Sequence, residues 1–297
     1  MPDYDPPRMP NVSALPSHTP FDISIAICTR DRSVALRQIL MSLSSMRVSD
    51  TLRYEVIIVD NGSTDDTPKI VVEFTTTKFP LTYIYEKKLG LGRARNVALS
   101  QAQGRFIFFT DDDCMVSADW LEVGFSLLSH QPRQVIGGRV DLHDSRDLPI
   151  TIRTDIIPAE LTSINDLFGF MHGCNMIFGR CVVDEIGMFD PALGAGTRSK
   201  AADDTDFIYR AFRAEIPVRY CPQLRVAHNH GRRDPVEGQR LVRAYLIATG
   251  ALTFKHLLHG RLDLLKVVYW NTRSAVRAGR PSSLPQYIAG AFAYLRS

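Results

Sequence analysis

The sequence lacks any long uninterrupted apolar run. No stretch approaches the roughly 18 apolar residues that a membrane-spanning helix needs, so no transmembrane helix is predicted. The N-terminus has no basic segment followed by an apolar one, and no secretory signal is expected. The 297 residues are 45% hydrophobic and 23% charged, which is the composition of a globular protein with a sizeable core.

Cysteine is also scarce. The chain has five cysteines, an odd number, and none forms a C-x-x-C pair; they are Cys28, Cys114, Cys174, Cys181 and Cys221. This spacing excludes a zinc ribbon and argues against a disulfide scaffold. A reduced, cytosolic protein is therefore expected.

Acidic residues are rare towards the C-terminus. Residues 232–297 contain 11 Lys/Arg and 3 Asp/Glu, which gives a net charge of +8. The rest of the chain contains 24 Lys/Arg and 29 Asp/Glu, which gives a net charge of −5. Such a basic region favours an anionic partner, for example a membrane surface, a phosphorylated acceptor or nucleic acid. An ordinary solvated helical face would explain the charge equally well.

Apolar runs alternate with amphipathic segments from Phe21 onward, after a Pro-rich stretch at 1–20 that predicts a flexible arm. Strands are predicted at 23–28, 54–60, 81–85 and 105–110, each of the first three followed by a helix. This alternation is typical of an open parallel sheet covered by helices. Further predictions are a helix at 120–128, a strand at 134–140, irregular chain at 141–170 that could line an acceptor cleft, a loop at 192–201, a helix at 207–214, a short strand at 218–220 and a helical region from 236.

Three consecutive aspartates, Asp111, Asp112 and Asp113, follow the apolar run at 105–110. Like charges at the end of a buried strand repel, so a positive group should lie beside them, and a divalent cation is the simplest one. In extended chain Asp111 and Asp113 point the same way, as a site for Mg²⁺ or Mn²⁺ requires, while Asp112 would be expendable for metal binding. An acidic surface turn is the alternative.

Polar groups also follow the first two predicted strands, at Thr29 and Asp60. Ligands of parallel sheets bind at the carboxyl ends of the strands, where these groups should meet the aspartates. Asp60 could accept a hydrogen bond from a nucleotide base or ribose, or it could form an Asx-turn. Arg95 follows two glycines at a predicted helix start, which suits a phosphate, although a structural ion pair would also explain it.

Two further constellations lie downstream. Asp203, Asp204 and Asp206 open a predicted helix, where the helix dipole favours acids; Asp206 is expected to be structural, and Asp203 or Asp204 could act as a general base. His228 follows a predicted strand and could complete a metal shell with two carboxylates.

In their order along the chain these motifs resemble the family 2 glycosyltransferases of the GT-A fold, over roughly 23–228. Thr29-Arg30-Asp31-Arg32 is similar to the end of the family's first strand, and the segment Val59 to Asp65 to its Val-Asp-Asp-Gly-Ser-Thr-Asp. Thr110 to Cys114 resembles the Asp-x-Asp-Asp segment, Gly187 to Asp190 the Gly-Gly-Phe-Asp, and Ala202 to Phe207 the Gly-Glu-Asp-x-Asp-Leu. Asp203 stands where Glu is usual, and Cys114 replaces the last Asp of the strand-end segment.

The resemblance implies an α/β fold of the GT-A type, a Rossmann-like, mostly parallel sheet flanked by helices with a C-terminal helical extension. It implies metal-dependent, inverting transfer of a sugar from a UDP- or dTDP-sugar to a hydroxyl of a glycan or lipid-linked acceptor, in cell-surface polysaccharide assembly. The implied residues are Asp204 as the base; Asp111, Asp113 and His228 for Mn²⁺ or Mg²⁺; and Thr29, Arg32, Asp60, Arg95 and Asp111 for the donor nucleotide.

Three regions are expected: the arm at 1–20, a catalytic domain at 21–235 and a basic, amphipathic region at 236–297. The last could contact the inner face of the cell membrane from the cytoplasm or pack on the domain. No nucleic-acid partner is expected. A sugar nucleotidyltransferase is the alternative enzyme, but the chain lacks a Gly-rich loop after the first strand; a non-catalytic polyanion-binding protein would not explain acids at several strand ends.

Overall fold

The computed structural model describes residues 20–75, 79–277 and 282–297, so the predicted arm at 1–20 lies outside the described residues except for its last position. The strands are β1 (Phe21–Thr29), β2 (Tyr54–Asp60), β3 (Leu81–Tyr85), β4 (Gly104–Asp111), β5 (Cys114–Val116), β6 (Val135–Leu142), β7 (Ala159–Glu160), β8 (Asn175–Gly179) and β9 (Val218–His228). They form one sheet in the order β3-β2-β1-β4-β8-β6-β9-β5, with β7 on β9.

The first four strands are parallel, as the apolar runs predict. Thr29 pairs with Asp60, and Cys28 pairs with Asp111, so the polar residues that end these strands meet at one edge of the sheet. The other strands make the sheet mixed, because β8 runs antiparallel to both β4 and β6. The prediction of an α/β sheet flanked by helices with a C-terminal helical extension is confirmed, and the sheet as a whole is mixed.

Helices cover both faces of the sheet. They are α1 (Ser33–Ser44), α2 (Thr67–Glu73), α3 (Leu91–Gln101), α4 (Trp120–His130), α5 (Arg180–Ile186), α6 (Asp203–Arg213), α7 (Pro235–Leu258), α8 (Asp263–Arg277) and α9 (Leu284–Leu295). Alternate residues of β2 face opposite sides, Val56 and Ile58 towards α1 and α4, and Ile57 and Val59 towards α3 and α6. Each face therefore has its own apolar core.

The predicted short strand at 218–220 is wrong in length, because β9 continues to His228. Pro222 lies in that strand, and the register of β9 against β6 shifts between Gly138 and Arg139, opposite this segment. Proline cannot donate a ladder hydrogen bond and is tolerated at such an irregularity. The strands β5 and β8 and the helix α5 were not predicted.

The C-terminal helices pack on the sheet domain, and α7 contributes most to its core. Ala248, Ala251 and Leu252 of α7 lie in the same apolar core as α3 and α6. Helix α9 packs closely on α7, since a Cβ atom at Gly290 would lie 2.0 Å from the carbonyl oxygen of Ile247. Among the described residues, no helix combines the length and apolar character that crossing a bilayer requires.

Candidate active site

A cavity of about 570 Å³ opens at the carboxyl edge of the sheet. Its walls come from the ends of β1 and β4, the start of α6, the loop before α6, and helix α7. Of the predicted site residues, the cavity brings together Thr29, Arg32, Arg95, Asp111, Asp113, Asp204 and His228. Asp60 is not among its lining residues.

Arg32 supplies the positive group that the three aspartates require. Its Nη1 lies 3.0 Å from Oδ1 of Asp112 and 2.6 Å from Oδ2 of Asp113. Thr29 donates a second hydrogen bond to Asp112, at 2.7 Å. Burial nevertheless outweighs these contacts and raises the pKa of Asp112 to about 6. One arginine therefore offsets much of the repulsion that the sequence predicted, and Asp112 is tied to β1.

His228 lies against Asp113, with its Nε2 3.2 Å from Oδ1. Burial alone would lower the pKa of His228, but the contact with Asp113 reverses this and raises the pKa to about 9. The β5–β9 pairing fixes the arrangement, because Cys114 pairs with His228 in the ladder and Asn229 donates its N–H to the Asp113 carbonyl. A residue predicted after a short strand is thus the last residue of a long one.

The chemistry of these groups fits a divalent cation. Oδ1 of Asp113 is buried, and the contact it makes among the described residues is with Nε2 of His228, 3.2 Å away. Asp113, Cys114 and His228 bring one ligand atom each within 4.8 Å of one another. A buried carboxylate oxygen beside an imidazole suits Mn²⁺ or Mg²⁺.

Arg95 connects the acidic edge to α6. Its side chain is buried, and Nη1 lies 2.7 Å from Oδ2 of Asp203, while Nη2 lies 3.7 Å from Oδ1 of Asp111. The guanidinium also lies over the rings of Phe109 and Phe189. Burial raises the pKa of Asp203 to about 6 despite this pairing. Asp111 remains 36% exposed towards the cavity, yet desolvation also raises its pKa.

Asp204 lies at the start of α6 and faces the cavity. Its Oδ2 accepts a hydrogen bond of 2.9 Å from the N–H of Gly173, and its Oδ1 accepts one of 2.7 Å from the N–H of Thr205. A side chain at Gly173 would collide with Arg95, because a Cβ there would lie 2.5 Å from Nη2. The glycine thus lets the 168–173 segment approach and orient the carboxylate.

Asp60 is fully buried, and the structure favours the Asx-turn interpretation of this residue. Its Oδ1 accepts a hydrogen bond from the N–H of Ser63, and its Oδ2 accepts one from the hydroxyl of Tyr83, at 2.8 and 2.6 Å. The next residue, Asn61, lines the cavity, but its side chain is bonded to the backbone of the 86–90 segment. Any contact of Asp60 with a nucleotide stays a prediction.

The far wall of the cavity is more apolar. Its part from the segment at 141–170, which was expected to line an acceptor cleft, does line the cavity, whereas its part from α7 was missed from the sequence. The wall includes Phe168 and Met171 from the predicted irregular segment and its continuation, and Leu241 and Tyr245 from α7. Thr151 has a left-handed backbone with φ of 55°, its hydroxyl lies 2.9 Å from that of Tyr245, and its carbonyl faces His228. Such strain in a β-branched residue is typical of functional sites. No sequence pattern marks α7 as part of the site.

Comparisons with known proteins agree with this architecture. Succinoglycan biosynthesis protein ExoM of Rhizobium meliloti is 26% identical over 236 residues, 78% of this chain and 72% of ExoM. The crystal structure of Staphylococcus aureus TarS 1–349 with UDP-GlcNAc superposes with a TM-score of 0.59 at 19% identity, over 91% of this chain and 79% of TarS. The structure of mannosyltransferase PcManGT from Pyrobaculum calidifontis, in complex with GDP-Man and Mn²⁺, superposes with a TM-score of 0.60 at 19% identity. The match covers 97% of this chain and 78% of PcManGT.

The fold is that of the GT-A glycosyltransferases. The sequence profile of glycosyl transferase family 2 matches residues 24–187, which is more than half of the chain. The chain therefore belongs to glycosyl transferase family 2. Two curated relatives, 32% and 24% identical, are matched over only 41% and 32% of their own length, so the chain spans less than half of each.

Proposed function

We propose that the chain transfers a sugar from a nucleoside diphosphate sugar, UDP- or dTDP-linked, to a hydroxyl of a glycan or lipid-linked acceptor, with inversion at the anomeric carbon. The observation that carries the proposal is a single cavity lined by Asp204 on one element and by Asp111, Asp113 and His228 on others. The family membership and the polysaccharide relative support the same reaction class. The proposed role is in cell-surface polysaccharide assembly at the cytoplasmic face of the membrane.

Asp111, Asp113 and His228 are the proposed holders of a divalent cation, Mn²⁺ or Mg²⁺. When bound, the cation would neutralise charge that develops on the departing diphosphate. The buried Oδ1 of Asp113 beside His228 supports this assignment, and so does the Mn²⁺ complex of PcManGT. Arg32 and Arg95 add fixed positive charge to the same edge of the cavity.

Asp204 is the proposed general base. It would take the proton of the acceptor hydroxyl while the hydroxyl oxygen bonds to the anomeric carbon and the bond to the diphosphate breaks. Inversion needs only one carboxylate beside the sugar, whereas a double displacement needs a second one as nucleophile. The neighbouring carboxylate, Asp203, is engaged by Arg95, which supports single displacement. The N–H groups of Gly173 and Thr205 hold Asp204 in its orientation.

The donor would lie at the acidic edge, held by Thr29, Arg32 and Arg95, while Asp60 would act at most through the turn that it closes. The acceptor is proposed to enter on the other side of Asp204, along the apolar wall that contains Tyr245. An apolar wall with few polar groups suits the face of a sugar ring.

The loop at 192–201 is proposed to cover the donor and exclude water. Gly194 and Gly196 have φ values of 98° and 81°, which other residues rarely adopt. Ala195 and Gly196 line the cavity, and Ala195 accepts a hydrogen bond from the N–H of Leu91 at the start of α3. Closure of such a loop would limit hydrolysis of the donor.

The test is release of nucleoside diphosphate from a panel of UDP-, dTDP- and GDP-sugars, with Mn²⁺ and with EDTA. We expect slow, Mn²⁺-dependent hydrolysis of a UDP- or dTDP-sugar. The Asp113→Asn variant should lose it, whereas Asp184→Asn, an exposed acid on α5, should retain it. Metal-independent hydrolysis, or none with any donor, would contradict the proposal.

A further inference from the structure

Helix α8 exposes large apolar side chains although it is packed on the domain. Leu265, Tyr269, Trp270 and Val276 are 39%, 54%, 55% and 59% exposed. The opposite side of the helix packs against the domain, where Leu264 and Val267 are only 0% and 4% exposed. The helix therefore lies along the protein surface with one apolar side turned inward and another turned to solvent.

The exposed side of α8 is divided into two parallel stripes. Leu265, Tyr269 and Val276 follow one another at intervals of four and seven residues, so they share one face of the helix. Lys266, Arg273 and Arg277 follow one another at intervals of seven and four residues, so they form a second stripe. This basic stripe runs beside the apolar one, because Lys266 and Arg277 directly follow Leu265 and Val276, and Arg273 lies one turn after Tyr269. We call these six residues the α8 stripes. An apolar stripe beside a basic one is typical of helices that lie in a membrane interface.

The positive charge of the α8 stripes is not compensated locally. Residues 261–297 contain six Lys/Arg and a single acid, Asp263. That acid is directed to the domain, where it accepts a hydrogen bond of 2.8 Å from Tyr209 and pairs with Arg213 at 3.2 Å. Within the described part of the chain, Lys266, Arg273 and Arg277 have no carboxylate partner.

Charge decides between two occupants of this surface. A second copy of the chain would form a two-fold interface that brings the same patch of each copy together, and with it two sets of unpaired cations. An anionic lipid surface instead offers negative charge opposite the basic stripe and apolar depth opposite the other stripe. Helix α9 also exposes an apolar stripe, including Ile288 and Phe292, but no basic stripe accompanies it.

We propose that the α8 stripes dock the protein on a membrane containing anionic phospholipid, with α8 lying in the plane of the interface. This goes beyond glycosyl transfer and does not depend on which sugar is moved. It also restricts the expected membrane contact within 236–297 to α8, because residues of α7 pack in the domain core and line the cavity.

The chain carries its own reporter for this docking. It has two tryptophans. Trp120 is fully buried and donates a hydrogen bond to Asn175, whereas Trp270 is exposed on α8 beside the stripes. On addition of vesicles of phosphatidylcholine with phosphatidylglycerol, we expect the tryptophan emission to shift to shorter wavelength and the full chain to float with the vesicles. Pure phosphatidylcholine vesicles should give neither, and raised salt should weaken both.

Two variants test the assignment without depending on each other. Leu265→Glu with Tyr269→Glu replaces two of the three residues of the apolar stripe, and Lys266→Glu with Arg277→Glu reverses two charges at exposed positions. The charge reversal should lower vesicle binding by at least about tenfold, given the free energy that each basic residue contributes near an anionic surface. The variant at Leu265 and Tyr269 should lower it by a similar factor, because it loses apolar area that would be buried in the interface. Val34→Glu with Met41→Glu, at positions of α1 that are 72% and 59% exposed, is the matched control and should bind as the unaltered chain does.

Three results would overturn the proposal. They are no flotation of the full chain with anionic vesicles, flotation that is unchanged in the charge-reversal variant, and an equal loss in the α1 control. A change in sedimentation coefficient of the α8 variants without a change in lipid binding would assign the surface to a protein contact instead. None of these measurements involves a sugar donor, so failure here and failure of the proposed transfer are separate results.

Discussion

Arg95 and Asp203 form a buried ion pair, with Nη1 2.7 Å from Oδ2, between helix α3 and the first turn of α6. The same guanidinium lies 3.7 Å from Asp111 at the end of β4. One cation thus joins the helix that carries Asp204 to the strand that carries the acidic triple. The relative position of the proposed base and the proposed metal site depends on this contact.

Replacement of Arg95 by Met should destabilise the fold strongly. It leaves Asp203 buried without its cation, and removal of one partner of a buried pair costs about 3–5 kcal/mol. Adding Asp203→Asn to the variant should recover part of that loss, because the uncompensated charge is then gone. Urea unfolding of the single and double variants measures both effects.

Arg37→Met is the matched control, since Arg37 pairs with Glu73 on the surface, where the side chains are 41% and 48% exposed. Its cost should stay within about 1 kcal/mol. If Arg95→Met proved as mild as Arg37→Met, the Arg95 pair would not be a determinant of the site.

Asp112 and Asp113 should respond differently to the same change. Asp113→Asn removes the carboxylate charge beside His228 and should weaken Mn²⁺ binding, measured calorimetrically with UDP present, by more than about tenfold. Asp112→Asn should leave Mn²⁺ affinity near its original value and lower the free energy of unfolding by about 1–3 kcal/mol, because its partners are Thr29 and Arg32. Equal losses of Mn²⁺ affinity would refute this division.

The first half of the fold could be predicted because each strand carries its own signal. The runs in β1, β2 and β4 are apolar on both faces, as strands buried between two layers of helices must be. Parallel strands bring their carboxyl ends to one edge of a sheet, so the apolar runs by themselves predict that Thr29 and Asp111 lie close together. The acidic triple is informative for a related reason, since charges at the end of a buried strand need a partner.

The remainder depends on contacts that sequence patterns do not record. The predicted strand at 218–220 stops short of Pro222, yet β9 passes through this proline at an irregularity of the ladder and brings His228 to Asp113. The five residues of β8 are too short an apolar run to be distinguished from helix or loop. The environments of Asp60 and Arg32 depend on similarly distant contacts. The hydroxyl of Tyr83 occupies an oxygen of Asp60, and Arg32 pairs with Asp112, although neither partner is near in sequence.

Asp206 should make the stability of the fold sensitive to acid. Burial alone would raise its pKa, but Lys255, Arg210 and His256 hold the pKa well below its ordinary range. A carboxylate with a depressed folded pKa stabilises above its unfolded pKa, about 3.9, and loses that contribution as the pH falls towards the folded value. The free energy of unfolding should therefore exceed that of Asp206→Asn at neutral pH, and the gap should narrow below about pH 4 as the Asp206 carboxylate loses its charge.

Asp66→Asn is the control for acid sensitivity, because the Asp66 side chain is 66% exposed. Its unfolding free energy should follow that of the unaltered chain at every pH. A gap for Asp206→Asn that does not change with pH would show that the cluster stabilises through packing rather than charge.

Gly290→Ala should loosen α9 from α7. A Cβ at this position would lie 2.0 Å from the carbonyl oxygen of Ile247, so the helices must separate, at a cost of about 1–3 kcal/mol. Hydrogen exchange should then accelerate in α9 and in the facing part of α7. Ala289→Ser, which adds one heavy atom at an exposed position of the same helix, should leave the exchange unchanged.

The central claim is that Asp204 accepts the proton in sugar transfer, and one comparison tests it. The Asp204→Asn variant and the unaltered chain are compared for donor turnover with Mn²⁺ and for affinity towards the nucleoside diphosphate. Removal of a general base should lower turnover by about 10²- to 10⁴-fold while nucleotide affinity stays within a few-fold. Unchanged turnover, or a loss of nucleotide affinity that accounts for all the lost activity, would contradict the assignment of Asp204 as the base.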